Sequence, residues 1–222
     1  MTHSISHVDE IFYLLKKQLH QYGQPIVSRK KHDIPNTPFV TLISCLLSLR
    51  TKDEVTERAS RRLLTNNYTP QKIIQLTVPE IETMIYPVGF YKTKAKRIME
   101  ISRTLLEKYQ GKVPDTFEEL LNLKGVGRKT ANIVMVYGHK KQGYLPIDTH
   151  CHRIPNRLGW IKTKSPEDTE YALKKFLPLQ YWNDFNDLFV TFGQTICVPI
   201  SPFCSHCPIE QYCKKINVST SR

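Results

Sequence analysis

The chain contains no apolar run approaching the roughly 20 residues that a membrane-spanning helix needs. Its most apolar stretch, Phe39 to Leu49, reads as a buried core helix. The opening segment MTHSISHVDEIFYLLKK lacks the basic start and cleavage site of a secretory signal, and it contains acids. It reads as an ordinary amphipathic helix and points to an intracellular protein, cytoplasmic in a prokaryote or nuclear in a eukaryote. Acid is scarce, with 20 Asp and Glu against 32 Lys and Arg, a net charge of +12 in 222 residues. An excess of that size suits a polyanion, with nucleic acid ahead of an anionic membrane. Strand signals are missing too: no segment alternates convincingly, and there is no long repeat or low-complexity linker. Cysteine is sparse and uneven. Cys45 and Cys151 stand alone, while four crowd the C-terminal part, a clustering that in an intracellular chain favours a metal site over disulfides.

What is present is helical. Apolar residues make up 40% of the chain, enough to fold. They recur at three and four, as in Ile11, Leu14, Leu15 and Leu19, or Ile98, Ile101 and Leu105. Thr37-Pro38, Thr69-Pro70 and Ser165-Pro166 each set a capping hydroxyl before a proline suited to the first helical position. Thr51/Glu54, Thr77/Glu80 and Thr116/Glu119 fit the capping-box spacing. Gly111, Gly138 and Gly159 fall where C-terminal caps belong. The expectation is an all-α protein of about ten helices of ordinary length.

The most informative stretch is LNLKGVGRKTANIVMVYG, Leu121 to Gly138. Gly125 and Gly127 break two apolar helical arms in the pattern of a helix-hairpin-helix, anchored by Leu121 and Leu123. Amides from Val126 to Lys129, with Arg128 among them, then suit one phosphate of a DNA backbone without reading sequence. A phosphate-binding loop of the G-x-x-x-x-G-K-[ST] kind is a weaker rival, since neither that spacing nor a preceding strand is present. Lys129 sits in the first turn of the second arm. The positive end of the helix dipole is unfavourable to an ammonium, and a nucleophile needs an amine without its extra proton. Downstream, YLPIDTHCHRI places Asp148 as the cap of a helix from Thr149. A carboxylate held there is also suited to accept a proton or to stabilise positive charge on a sugar.

These segments resemble the endonuclease III family of DNA glycosylases. LNLKGVGRKTANIVM and PIDTHCHRIPNRLGW carry the likeness, joined by LLSLRTKDEVT and IYPVGFYKTKAKRI, across about Asn36 to Cys213. They are closest in flavour to the thymine-glycol glycosylases of the group. The resemblance implies a two-lobed helix-hairpin-helix glycosylase fold and a bifunctional glycosylase/AP lyase acting on duplex DNA. An oxidised pyrimidine is flipped out, Lys129 attacks C1′, a Schiff base forms with help from Asp148, and β-elimination nicks the strand 3′ to the lesion. Flipping is required because a stacked base cannot be attacked. The adenine-mismatch branch lacks this lysine and carries a glutamate where Ser44 falls here. A mismatch-directed glycosylase and a non-catalytic DNA-structure binder are the rival readings.

Cys197, Cys204, Cys207 and Cys213 have the spacing C-x6-C-x2-C-x5-C. Four thiolates can close around one tetrahedral ion or one cubane. The spacing fits zinc ribbons poorly and differs from common ferredoxin runs. The resemblance implies a [4Fe–4S] cluster, which would staple a tail too short to build its own core. The loop after Cys197, VPISPF, lacks the basic residues often found there in relatives.

Further candidate DNA contacts are Arg50, Phe90, Lys92, Lys94, His150 and Arg153. Phe90 aligns with an apolar wedge of the family, and Arg50 with a position often held by a glutamine that fills the gap left by a flipped nucleotide. His150 and His152 do not face one another as a metal pair. Pro155 falls inside the helix from Thr149 and predicts a local irregularity. The expected domains are a six-helix barrel over 31–141, with the hairpin at about 116–138, and a second lobe from 1–30 plus 142–222 carrying the cluster at 197–213. A monomer is expected, with no membrane partner.

Overall fold

The computed structural model describes residues 7–20 and 34–222, and the regular structure among them is helical, with no strand. In chain order the α-helices are α1 (Val8–Leu19), α2 (Pro38–Ser48), α3 (Asp53–Leu64), α4 (Pro70–Ile73), α5 (Val78–Ile85), α6 (Tyr91–Tyr109), α7 (Phe117–Asn122), α8 (Arg128–Ile133), α9 (Thr149–Leu158), α10 (Pro166–Lys174) and α11 (Trp182–Thr195). A π turn, Val134–Gly138, continues α8. The described residues form two compact units, 34–144 and 7–20 with 145–222. The boundary expected at Lys31 lies outside the described residues.

Local signals set most helix starts. Thr37, Thr69 and Ser165 each accept a first-turn backbone N–H, ahead of a proline in the first turn. Thr77 and Glu80 form a reciprocal capping box. Thr51 and Glu54 do not. α3 starts after Lys52, and the Thr51 hydroxyl is drawn into tertiary bonds instead. Gly159 is a left-handed C-terminal cap at φ 78°. Gly138 is not a cap of that kind. A Cβ there would lie 2.9 Å from Pro38 Cα, so its role is close packing against the start of α2.

In the unit 34–144, α2 is buried on every side from Phe39 to Leu47. A helix apolar all round belongs inside. It packs on α3, α6, α8 and the π turn. Leu42, Leu47, Leu63, Ile81, Ile98 and Leu105 share its core, and each such side chain contributes about 1.5–3 kcal/mol when withdrawn from water. In the other unit, α1 and α9 pack on α11. Phe185 and Phe189 stack with ring centroids 4.1 Å apart, and Phe12 covers them. The α9 helix runs through Pro155. The irregularity expected there amounts to one backbone donor that proline lacks.

Candidate active site

The hairpin is built as its residues dictate. Thr116 caps α7, and Leu123 closes it by donating to the Leu120 carbonyl at 3.2 Å. Gly125 turns the chain at φ 82°, and the Val126 N–H donates to the Leu123 carbonyl at 3.0 Å. Val126, expected among the phosphate ligands, thus spends its N–H inside the turn. Its side chain lies in the core, 6% exposed. Gly127 caps α8, and the space before its Cα is open. Gly127, Arg128, Lys129 and Thr130 then carry the four amides that precede the first helical bond, from Ala131 to Gly127. Lys129 is half-buried on that first turn. The Arg128 guanidinium lies 5.0 Å from the Phe117 ring centre. Arg97 of α6 packs across Gly125, and Glu100 pairs with both Arg97 and Lys124, so the turn is braced by α6.

Two tips stand out beside one another in the same unit. Arg50, between α2 and α3, has φ 52°; Phe90, before α6, has φ 58°. Both are exposed, Phe90 at 63%. The Arg50 guanidinium lies 5.7 Å from the Phe90 ring centre. Left-handed backbone at a residue with a Cβ is uncommon, and two such residues in contact mark a constrained edge. Lys92 is exposed in the first turn of α6. Lys94 is not: it is 9% exposed, and its ammonium donates to the carbonyls of Leu47 at 2.8 Å and Leu49 at 2.5 Å. Burial lowers its pKa to about 8. A DNA contact expected of Lys94 is thus replaced by an internal one.

In the unit that includes 145–222, Asp148 caps α9. Its Oδ1 accepts the N–H groups of His150 and Cys151, each at 2.8 Å. The next turn carries Arg153, whose Nη2 donates to His150 Nδ1 at 3.0 Å, Gly193 O at 3.2 Å and Cys197 O at 2.8 Å. Burial lowers the Arg153 pKa. Arg153, named above as a candidate DNA contact, spends these donors inside the protein as a clamp on the end of α11. His152 bonds Thr169, joining α9 to α10.

Cys197, Cys204, Cys207 and Cys213 line one pocket, among Ile154, Leu158, Phe192, Ile196, Phe203 and Ile209. No three of them meet the arrangement of a metal site among the described residues. Their surroundings nevertheless suit a group that brings positive charge. Burial pushes the Cys207 thiol up to about 12 and raises Cys213, with the neighbouring sulfurs adding to both. Donors also point at sulfur: Arg157 Nη1 lies 3.3 Å from Cys197 Sγ, and the Lys215 N–H lies 3.4 Å from Cys213 Sγ. Four sulfurs in an apolar shell with such donors fit an iron–sulfur cluster by their chemistry.

Residues 43–179 match the family described as HhH-GPD superfamily base excision DNA repair protein. The chain belongs to this family. An endonuclease III from Thermotoga maritima is 49% identical over 197 residues, covering 88% of this chain and 92% of that one. Endonuclease III-like protein 1 of Gallus gallus is 41% identical over 177 residues, 79% of this chain and 63% of its own. A solved trapped endonuclease III–DNA covalent intermediate, in an estranged-adenine complex, matches at TM-score 0.79 and 30% identity, covering 93% and 95% of the two chains. The class expected from the sequence, a base excision repair DNA glycosylase and AP lyase of the endonuclease III type, is supported by these relatives and by the all-helical fold.

Three residues hold roles that the sequence reading did not give them. Gly193 lies in α11, where a Cβ would meet His150 Nδ1 at 2.4 Å, so the imidazole packs directly on the helix backbone. Arg157 is 7% exposed and ties Cys197 to the carbonyls of Val198 and Pro199. Thr51 links the two tips. A glycine inside an apolar helical run such as TFGQTIC signals close approach. Arg157 and Thr51 carry no comparable local signal.

Proposed function

We propose that this chain excises oxidised pyrimidines such as thymine glycol from duplex DNA and then cleaves the strand, with Lys129 as nucleophile and Asp148 as its carboxylate partner. The carrying observation is Lys129 half-buried in the first turn of α8, two residues after the open Gly127. The neutral amine forms a bond to C1′ while the glycosidic bond breaks, and the base leaves with the electron pair and takes up a proton. Opening of the sugar converts the adduct to an imine. Loss of a C2′ proton then expels the 3′ phosphate, and water releases the enzyme. Asp148 offers a charge that stabilises a cationic sugar and accepts a proton. An amine gives both displacement and an imine, whereas water gives displacement alone.

The amides of Gly127 to Lys129, the exposed Lys92, and His150 are the proposed DNA contacts, with Gly125 shaping the turn. Phe90 and Arg50 enter the duplex where the damaged nucleotide leaves it. Cys197, Cys204, Cys207 and Cys213 would hold a [4Fe–4S] cluster, which would supply a structural staple for the C-terminal segment. Borohydride trapping on a duplex containing thymine glycol tests the reading. A covalent adduct that disappears in Lys129→Gln supports it. No adduct with either thymine glycol or an abasic site overturns the lyase, and preferential excision from a T:G mismatch overturns the choice of lesion.

A further inference from the structure

The two exposed tips are fastened by a single buried cation. Lys94 lies four residues after Phe90, and its backbone N–H donates to the Phe90 carbonyl at 3.0 Å, the first bond of α6. Its side chain turns the other way. The ammonium reaches the Leu47 and Leu49 carbonyls and, at 3.2 Å, the Thr51 hydroxyl, which brackets Arg50. An ammonium has three protons, and here it has three acceptors. None of the three is a carboxylate. The charge is balanced by carbonyls at the negative end of α2.

The tips also touch directly. The Gly89 N–H donates to Thr51 Oγ1 at 3.1 Å, and a Cβ on Gly89 would lie 2.5 Å from the Arg50 carbonyl oxygen. Arg62 of α3 holds the far side of the same loop, donating to Met84 O at 2.7 Å and to Tyr86 O. Arg50 and Phe90 thus stand on one cross-linked platform, although the chain separates them by the whole of α3 to α5.

We propose that Lys94 is a positioning residue for base extrusion: by binding the Leu47–Thr51 and Val88–Phe90 segments together, it makes Arg50 and Phe90 enter the duplex as one rigid wedge. This rests on the reading of the tips given under Proposed function. A buried ammonium needs acceptors, and this one draws all three from the Leu47–Thr51 segment. This one lies between the two segments whose exposed residues hold left-handed backbone against each other. Burial also depresses its pKa, so above about pH 8 the tie loses one of its three donors.

The test uses a duplex with a tetrahydrofuran abasic analogue opposite 2-aminopurine, whose fluorescence reports what enters beside the orphan base. The wild type is expected to change the signal on saturation, and Phe90→Ala to lose that change. Lys94→Met is expected to lose most of it as well, while anisotropy still shows DNA binding and circular dichroism shows the native helix content. Because both act through one wedge, Lys94→Met/Phe90→Ala should be no worse than the worse single variant. Excision from a paired lesion should fall by up to about 10²-fold, the scale of an ångström misplacement, with far less effect on cleavage of an existing abasic site. Should Lys94→Met fail to fold, Thr51→Val breaks the same link with little change of shape and should show a smaller loss of the same kind. A folded Lys94→Met or Thr51→Val with the wild-type signal overturns the proposal, as do losses that multiply in the double variant. A wild type that saturates without moving the signal overturns the wedge reading and the proposal with it. Formation of the Lys129 adduct distinguishes that outcome from failure of the glycosylase reading.

Discussion

Replacing Asp148 by asparagine separates its two roles. Both cap bonds run to a single oxygen, Oδ1, at 2.8 Å from the N–H groups of His150 and Cys151. An amide oxygen can accept both, so Asp148→Asn keeps the cap and removes only the charge. The lost charge–dipole attraction at the start of α9 is worth about 0.3–1 kcal/mol. In a chain of 222 residues that lowers Tm by about 1–4 °C. Asp148→Ala also removes the acceptor, at a cost of about 0.5–2 kcal/mol for the cap itself. Activity should follow a different order. If the carboxylate serves proton transfer and charge stabilisation, Asp148→Asn loses about 10²–10⁴-fold in excision despite its near-normal stability. The assays are thermal unfolding by circular dichroism and single-turnover strand cleavage on the same preparations. An Asp148→Asn enzyme within a few-fold of wild type would refute the catalytic assignment. One as unstable as Asp148→Ala would refute the cap geometry.

Other outcomes follow from the same contacts. Gly193→Ala gains about 1 kcal/mol of helix propensity but sets a Cβ 2.4 Å from His150 Nδ1, and overpacking costs about 1–3 kcal/mol. A net fall in Tm is expected, and a rise would show that His150 does not pack on α11. Lys94 has a folded pKa of about 8, below its ordinary 10.5, so between these values the unfolded chain binds the extra proton. Stability from this group therefore grows as pH rises through that window, and the unfolding free-energy difference between wild type and Lys94→Met should rise with it; a flat difference in denaturant titrations counts against the buried ammonium. Lys92→Ala should reduce the slope of log affinity against log salt by about 1, while Lys94→Met leaves that slope unchanged.

Most helix starts were legible because their causes are local. A threonine or serine before a proline needs nothing from the rest of the chain to cap a helix, and Thr37, Thr69 and Ser165 all do so. Thr51/Glu54 has equally good spacing, yet Thr51 is taken by Gly89 and Lys94, 38 and 43 positions away. Tertiary partners outbid a local cap, and no window of sequence shows them. Lys94 itself left a trace. It precedes Ile98, Ile101 and Leu105 at spacings of four, three and four, which places it on the buried stripe of α6 rather than with Lys92 and Lys96. Charge type dominated the reading where periodicity carried the answer.

The basic excess divides into two populations with different work. Lys94 satisfies carbonyls at the end of α2, Arg62 those at the end of α5, and Arg153 those at the end of α11. Arg157 does the same for the carbonyls that follow Cys197. An α-helix leaves its last carbonyls unpaired, and a long cation reaching from a neighbouring helix satisfies them while favouring the negative end of the dipole. The net charge of +12 therefore overstates what faces DNA. The cations spent on helix ends instead fix the geometry of the exposed ones: Arg62 and Lys94 hold the segments bearing Phe90 and Arg50, and Arg153 holds His150, two residues past Asp148. Charge that composition assigns to binding is partly the framework that positions the side chains proposed to bind.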